Sequence, residues 1–265
     1  MHYNKINKKY DFTKKKIDEG ADYFVVLQWF KKYLMQFRGN GNTFSAPILM
    51  KILHSYRVVC EIKNIAHTIS GPISLDLAQC TALLHDIGRF QQYAVFGGYD
   101  DRNSIDHAAL GVMIIDQAKQ LSVVSDCKML LIKSAIFVHN KERVDNTLND
   151  GELLLAKMLR DADKLDIYSV IIAEETNQPI AYDYTGKNLE SLRLFQRIPY
   201  SEALTTADIR LFRISWLFDI NFKATIRAIF ERLYIERLFS KLPQTQKFEE
   251  LQLAIKDHLM RRLEQ

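Results

Sequence analysis

Glycine and proline are scarce in this sequence, at ten and five of 265 residues. Average usage is about 7% and 5%, so the chain lacks the turn residues that a sandwich or barrel of short strands needs. Long helices remain as the expected architecture. Cysteine is scarcer still: Cys60, Cys80 and Cys127 form an odd set without C-x-x-C spacing. That argues against a disulfide framework or a zinc ribbon and predicts buried, reduced thiols. No apolar run approaches the roughly 18 residues that cross a bilayer, and the most apolar stretch, residues 129–138, has the length of a core helix. No membrane span is expected. The N-terminal lysines are not followed by an apolar segment before Asp18, Glu19 and Asp22, so a signal peptide is not indicated and the cytoplasm is the expected compartment. A G-x-x-x-x-G-K-S/T loop and a G-x-S-x-G elbow are both missing, and Gly39 and Gly41 lack the third glycine of a dinucleotide fingerprint because Phe44 stands there.

What is present is a large apolar fraction, 48%, enough for one sizeable domain or two small ones. The net charge of +4 is unevenly spread. Residues 1–53 carry ten Lys and Arg against four Asp and Glu, whereas residues 54–166 carry twelve against fifteen. The basic excess thus lies at the start of the chain, which opens with a lysine-rich arm over residues 1–20, and the middle of the chain is acidic. The arm alone, without interleaved aromatics for base stacking, is weak support for nucleic-acid binding. Periodicity predicts helices over 21–37 and 45–69, the second opening at Ser45-Ala46-Pro47. A helix over 74–87 is expected to stop at Gly88. Ser104 and Ser125 are the expected N-caps of helices over 105–121 and 126–139, and Asp150 of a helix reaching Glu175. Residues 176–200, containing Pro179, Gly186 and Pro199, read as an irregular surface loop or a lid. Two or three further helices fill 202–263.

Seven histidines are present, and His85-Asp86 in ALLHDIGRF is the pair that draws attention. The dipeptide is not specific alone, since neighbours on a helix point about 100° apart and other helices must complete any shell around a cation. Imidazole nitrogen and carboxylate oxygen together suit divalent first-row metals. Four further positions qualify: His54 in LHSYRVV, His107 in SIDHAALG, His139 in LLIKSAIFVHNK and Asp163 in MLRDADKLDIY. Singly, each has an ordinary explanation as a core histidine, a helix-end polar group or a solvated acid. Together they place one metal-ligand type on each of several consecutive helical segments.

In this respect the sequence resembles the HD superfamily of metal-dependent phosphohydrolases. That signature runs His, then His-Asp, then a distal Asp, matched here by His54, His85-Asp86 and Asp163. LHSYRVV is similar to the H-x-x-R-V setting of the first ligand, LLHDIGRF to the apolar approach and glycine exit of the second, and RDADKLD to the D-A-D-K-L form of the last. The resemblance covers about residues 20–175 and implies an all-α, HD-domain-like helical bundle. The core would be residues 21–175, with a C-terminal helical extension, 176–265, packed on it. His107 and His139 resemble the extra histidines of the two-metal subset. By that resemblance one ion takes His54, His85, Asp86 and Asp163, and a second takes Asp86, His107 and His139; in single-metal members the last two would instead meet a phosphate or a water.

The implied chemistry is hydrolysis of a nucleotide or other small phosphate ester by a water activated on one or two divalent ions, Fe, Mn, Co, Ni, Zn or Mg. Asp86 and Lys164 are the expected catalytic residues, and Arg57, Arg89, Arg102 and Lys141 the expected substrate cations. Asp106 or Asp161 is the expected partner that orients a ligand imidazole. Alternatives are a di-iron oxygenase of the same superfamily and a non-catalytic nucleotide sensor. A homo-oligomer is compatible with the sequence, and substrate selection is expected in loops such as 92–103 and 176–200.

Overall fold

The computed structural model describes residues 20–39, 41–144, 147–174 and 183–265. The lysine-rich arm before Gly20, Glu175 at the expected end of its helix, and residues 176–182 of the anticipated lid lie outside the described residues. Those described form an all-α fold, with no strand among them: α1 Ala21–Leu34, α2 Ala46–Ala66, α3 Leu75–Leu84, α4 Ile87–Phe96, α5 His107–Gln117, α6 Asp126–His139, α7 Asp150–Glu174, α8 Gly186–Arg193, α9 Thr206–Ser215, α10 Lys223–Glu231, α11 Tyr234–Phe239 and α12 Gln246–Glu264. No helix among the described residues is long and apolar enough to cross a membrane.

Two apolar clusters are joined by one long helix. The first gathers side chains from α1 through the front of α7, including Phe30, Ile62, Leu83, Phe90, Ile136 and Leu159. Phe30 meets Tyr56 and Phe90 edge-on at 6.0 and 5.9 Å, the geometry that ring quadrupoles favour. The second cluster begins at Leu165 and Tyr168 on α7 and continues through α8 to α12. Asp163 therefore stands where α7 passes from one core to the other.

Several local expectations are corrected. The helix that was to stop at Gly88 instead breaks two residues earlier, at His85-Asp86, and restarts as α4, which runs on to a left-handed Gly97 (φ 70°). Gly88 is needed for close packing, because a Cβ there would collide with the carbonyl oxygen of His107 and the amide of Gly111 on α5. The cap of α5 is Asp106, whose carboxylate accepts from Ala108 N at 3.0 Å, whereas Ser104 bonds Gln92 and the Asp100 carbonyl. Ser125 precedes α6 without a side-chain cap bond. The cap of α7 is Asn149, which exchanges bonds with Glu152 in a capping box; Asp150 is already helical. The stretch 176–200 contains α8, and four α-helices, not two or three, follow it in the described residues. Cys80 is buried as expected, but Cys60 and Cys127 are exposed, and none of the three is in a disulfide.

Candidate metal centre

Six side chains from four helices and one helix–helix break converge. His54 comes from the middle of α2, His107 is the first residue of α5, His139 the last of α6, and Asp163 lies on α7. His85 and Asp86 come from the break between α3 and α4. Asp86 has φ −103° and ψ 19°, in the sparsely used bridge region where active-site residues recur. That one non-helical residue re-aims its carboxylate, so His85 and Asp86 face the same centre despite being adjacent.

The donor atoms form two linked groups. His54 Nε2 lies 3.2 Å from His85 Nε2 and 3.1 Å from Asp163 Oδ1. His107 Nε2 lies 3.1 Å from His139 Nε2. Asp86 stands between the groups. Its Oδ2 is 3.4 and 3.6 Å from the Nε2 atoms of His54 and His85, and its Oδ1 is 3.3 and 3.9 Å from those of His107 and His139.

Whether this set suits a cation is decided by the other face of each ring. All four Nδ1 atoms donate to an oxygen: His54 to Asp166 Oδ2 (2.6 Å), His85 to the Ala82 carbonyl (2.8 Å), His107 to Asp101 Oδ2 (2.6 Å) and His139 to the Ile136 carbonyl (2.6 Å). A carbonyl oxygen can only accept, so His85 and His139 carry their proton on Nδ1 and, when neutral, turn a bare Nε2 lone pair inward. Paired Nε2 atoms at 3.1–3.2 Å then repel unless a proton or a cation lies between them. Asp163 Oδ1 is buried without a satisfactory hydrogen bond. A cation bound at about 2.0–2.2 Å fits donors at this spacing and would satisfy that oxygen.

The electrostatics agree. Burial and Lys51 push the His54 imidazole down, yet Asp163, Asp166 and Asp86 outweigh them and raise its pKa to about 10, so its surroundings favour positive charge at that point. Burial works against the Asp86 carboxylate, but Lys51, His85, His107 and His54 hold its pKa well below the usual range. His139, desolvated and beside His107 and His85, falls to about 3 and is a neutral ligand type. His54, His85 and Asp163 form one group of closely spaced metal-ligand atoms, and His85, Asp86 and His139 another. A third, Asp101, Asp106 and His107, is explained without an ion by the Nδ1 bond of His107 and the capping role of Asp106.

The partners that orient the imidazoles are Asp166 and Asp101, not Asp106 or Asp161. Asp161 is spent on the amides of Asn221 and Phe222 and the Asn221 side chain. Asp106 caps α5 and pairs with Asn140 and Lys141. Asp166 could have been found from its spacing, one turn beyond Asp163 on the same helix. Lys51, one turn before His54, follows the same logic and donates to Asp86 Oδ2 at 2.7 Å. Asp101, in an irregular loop, carries no such signal.

The centre opens into a cleft of about 500 Å³. Of the cations singled out in the sequence, Arg89, Lys141 and Lys164 line it, with Lys51, Arg160, Arg197 and Arg213. Arg89 is also bound to Asp101 and the Tyr99 carbonyl, so it holds the loop that carries Asp101. Lys164 is buried and donates to Asp219; burial, with Arg160 nearby, lowers its pKa to about 8. Arg57 and Arg102 do not line the cleft. Arg57 forks onto Asp166 behind His54 at 2.5 and 3.0 Å, and Arg102, exposed, pairs with Asp100 and covers the ring of Tyr200. The far wall of the cleft, Ile209, Phe212, Arg213 and Trp216, comes from α9 and the residue after it, at i, i+3, i+4 and i+7.

No curated protein and no solved structure matches the chain. Residues 52–168 match the family model described as the HD domain, a span that includes all six converging side chains. Over residues 52–168 the chain is therefore similar to the HD domain, a helical domain of metal-dependent hydrolases, and the candidate metal ligands fall inside that span.

Proposed function

We propose that this chain is a phosphohydrolase that cleaves a phosphate ester or anhydride of a nucleotide or another small phosphorylated metabolite. The observation that carries the reading is Asp86, whose two oxygens each face a separate pair of inward-turned imidazoles. In this reading His54, His85, Asp86 and Asp163 hold one divalent ion, and Asp86, His107 and His139 a second. Such ions supply the charge that activates a water for attack and that offsets charge on phosphoryl oxygens.

The chain's own residues do the rest. Asp166 and Asp101 hold His54 and His107 in the tautomer that presents Nε2. Lys141 and Lys164 face the cleft beside the ligands and suit non-bridging phosphoryl oxygens. Ile209, Phe212 and Trp216 offer an apolar shelf on the opposite wall, suited to the organic part of the substrate. A lining this rich in Lys and Arg favours an anionic substrate over the oxygenase alternative.

The test is phosphate release from a panel of nucleotides and simple phosphate esters, with the purified chain supplied in turn with Mn, Fe, Co, Ni, Zn and Mg. Release that depends on one of these ions and is abolished by His85→Ala is expected. Ion uptake without phosphate release from any member of the panel would reject the reading.

A further inference from the structure

Behind the cleft lies a second cavity, of about 680 Å³. Between the two stands a knot of charge. Asp219 Oδ2 accepts from Arg160 Nη2 at 2.6 Å, Lys164 Nζ at 2.6 Å and Arg197 Nη1 at 2.7 Å. Three cations thus share one carboxylate, and the surplus is two positive charges. Arg160 is nearly inaccessible to solvent, and Arg197 Nε is buried with no hydrogen-bond partner. Arg160 and Arg197 line both cavities, Lys164 only the metal cleft, and Asp219 only the second cavity.

The second cavity adds Arg143 and Lys157 to Arg160 and Arg197, against Glu142 and Asp219. Among the described residues, neither Arg143 nor Lys157 has a hydrogen-bond or ion-pair partner. Four cations, two of them unpaired and two competing for a single carboxylate, surround a space large enough for a small organic ligand. Charge of one sign in a recess with low-dielectric walls concentrates ligands of the other sign.

We infer that this second cavity is an anion-binding site, separate from the metal cleft, that takes a small molecule bearing a phosphate or pyrophosphate group. Arg143 and Lys157 meet the anion from the rim and Arg197 from the floor. Arg160 Nη1 also donates to the carbonyl of His139 at 2.9 Å. An anion that draws Arg160 off Asp219 therefore changes the carboxylate that Lys164 shares with it and loosens the support of His139, so the two cavities are coupled in both directions.

The test needs no turnover and does not depend on the hydrolase reading. The metal-free full-length chain is titrated calorimetrically with inorganic pyrophosphate, as wild type, as Arg143→Ala/Lys157→Ala and as Lys141→Ala, with circular dichroism confirming the fold of each. Losing two charge-assisted contacts is expected to weaken binding by about tenfold or more in the double variant, while Lys141→Ala retains the event. Lys157→Gln, which removes the charge but keeps a polar side chain one atom shorter, is expected to weaken binding in the same direction. Equal affinity in the wild type and the double variant would overturn the inference. So would an event lost in Lys141→Ala but kept in the double variant, because the anion would then sit in the metal cleft.

Discussion

Asp166 fixes the tautomer of His54, and Arg57 in turn holds Asp166 through two hydrogen bonds. Asp101 does the same for His107, held by Arg89. Such partners set ring orientation and ligand basicity, and their loss typically costs about 10–100-fold in metal affinity. Asp166→Asn and Asp101→Asn are therefore expected to weaken metal binding by that order in a chelator competition, with phosphate release recovering as metal is raised. Affinity unchanged in both would mean that the imidazoles are held by packing alone. At this scale the sequence is most legible where a helix imposes spacing. His54, His85-Asp86 and Asp163 stand out because each sits in an apolar helical context with a recognisable flank. Arg57 reads as a free cation because nothing in HSYR reveals a carboxylate 109 positions away.

Among the elements, the junction of α3, α4 and α5 decides whether the centre exists. Asp86 faces both imidazole pairs because the helix breaks under it, and α4 then packs so tightly on α5 that only glycine fits at position 88. Gly88→Ala is expected to destabilise the fold by about 1–3 kcal/mol, because the obstruction is backbone that can give way only by parting α4 from α5. His107 would move with it, so metal affinity should fall alongside the melting temperature. Gly98→Ala, where a Cβ meets nothing within 4 Å, should shift stability by no more than about 0.5 kcal/mol. Equal melting temperatures for the two variants would refute the packing argument. Helix positions were readable from periodicity, but this break was not, since Gly88 suggests a stop and gives no sign of a close approach. Caps differ from the sequence expectation by one or two residues for a similar reason: Ser104, Asp106, Asn149 and Asp150 are all good capping types, and only the fold selects among them.

For the whole molecule, α7 is the spine, with the last ligand at the point where the two cores meet. The second half supplies the far wall of the cleft and Asp219, and almost none of that was visible beforehand. Ile209, Phe212 and Trp216 read as an ordinary apolar face, and WLFDIN carries no pattern to mark Asp219 as the partner of three cations. Burial pushes the Asp219 carboxyl up, but Lys164 and Arg160 more than offset this and hold its pKa below the ordinary value. A depressed folded-state pKa contributes stability above the unfolded value of about 3.9 and loses it as pH falls through the lower folded value. Asp219→Asn is thus expected to cost about 3 kcal/mol near neutrality, with the two denaturation curves converging below about pH 4. A difference that persists unchanged into acid would show that the carboxylate charge is not what binds the halves together. Metal analysis of the chain purified without chelator, beside Asp86→Ala, tests most directly whether the six side chains from α2, α5, α6, α7 and the α3–α4 break form a site for divalent ions. One to two equivalents of a first-row metal or Mg are expected in the wild type, with near-complete loss in the variant. An Asp86→Ala chain that retains the full wild-type metal content would contradict that assignment.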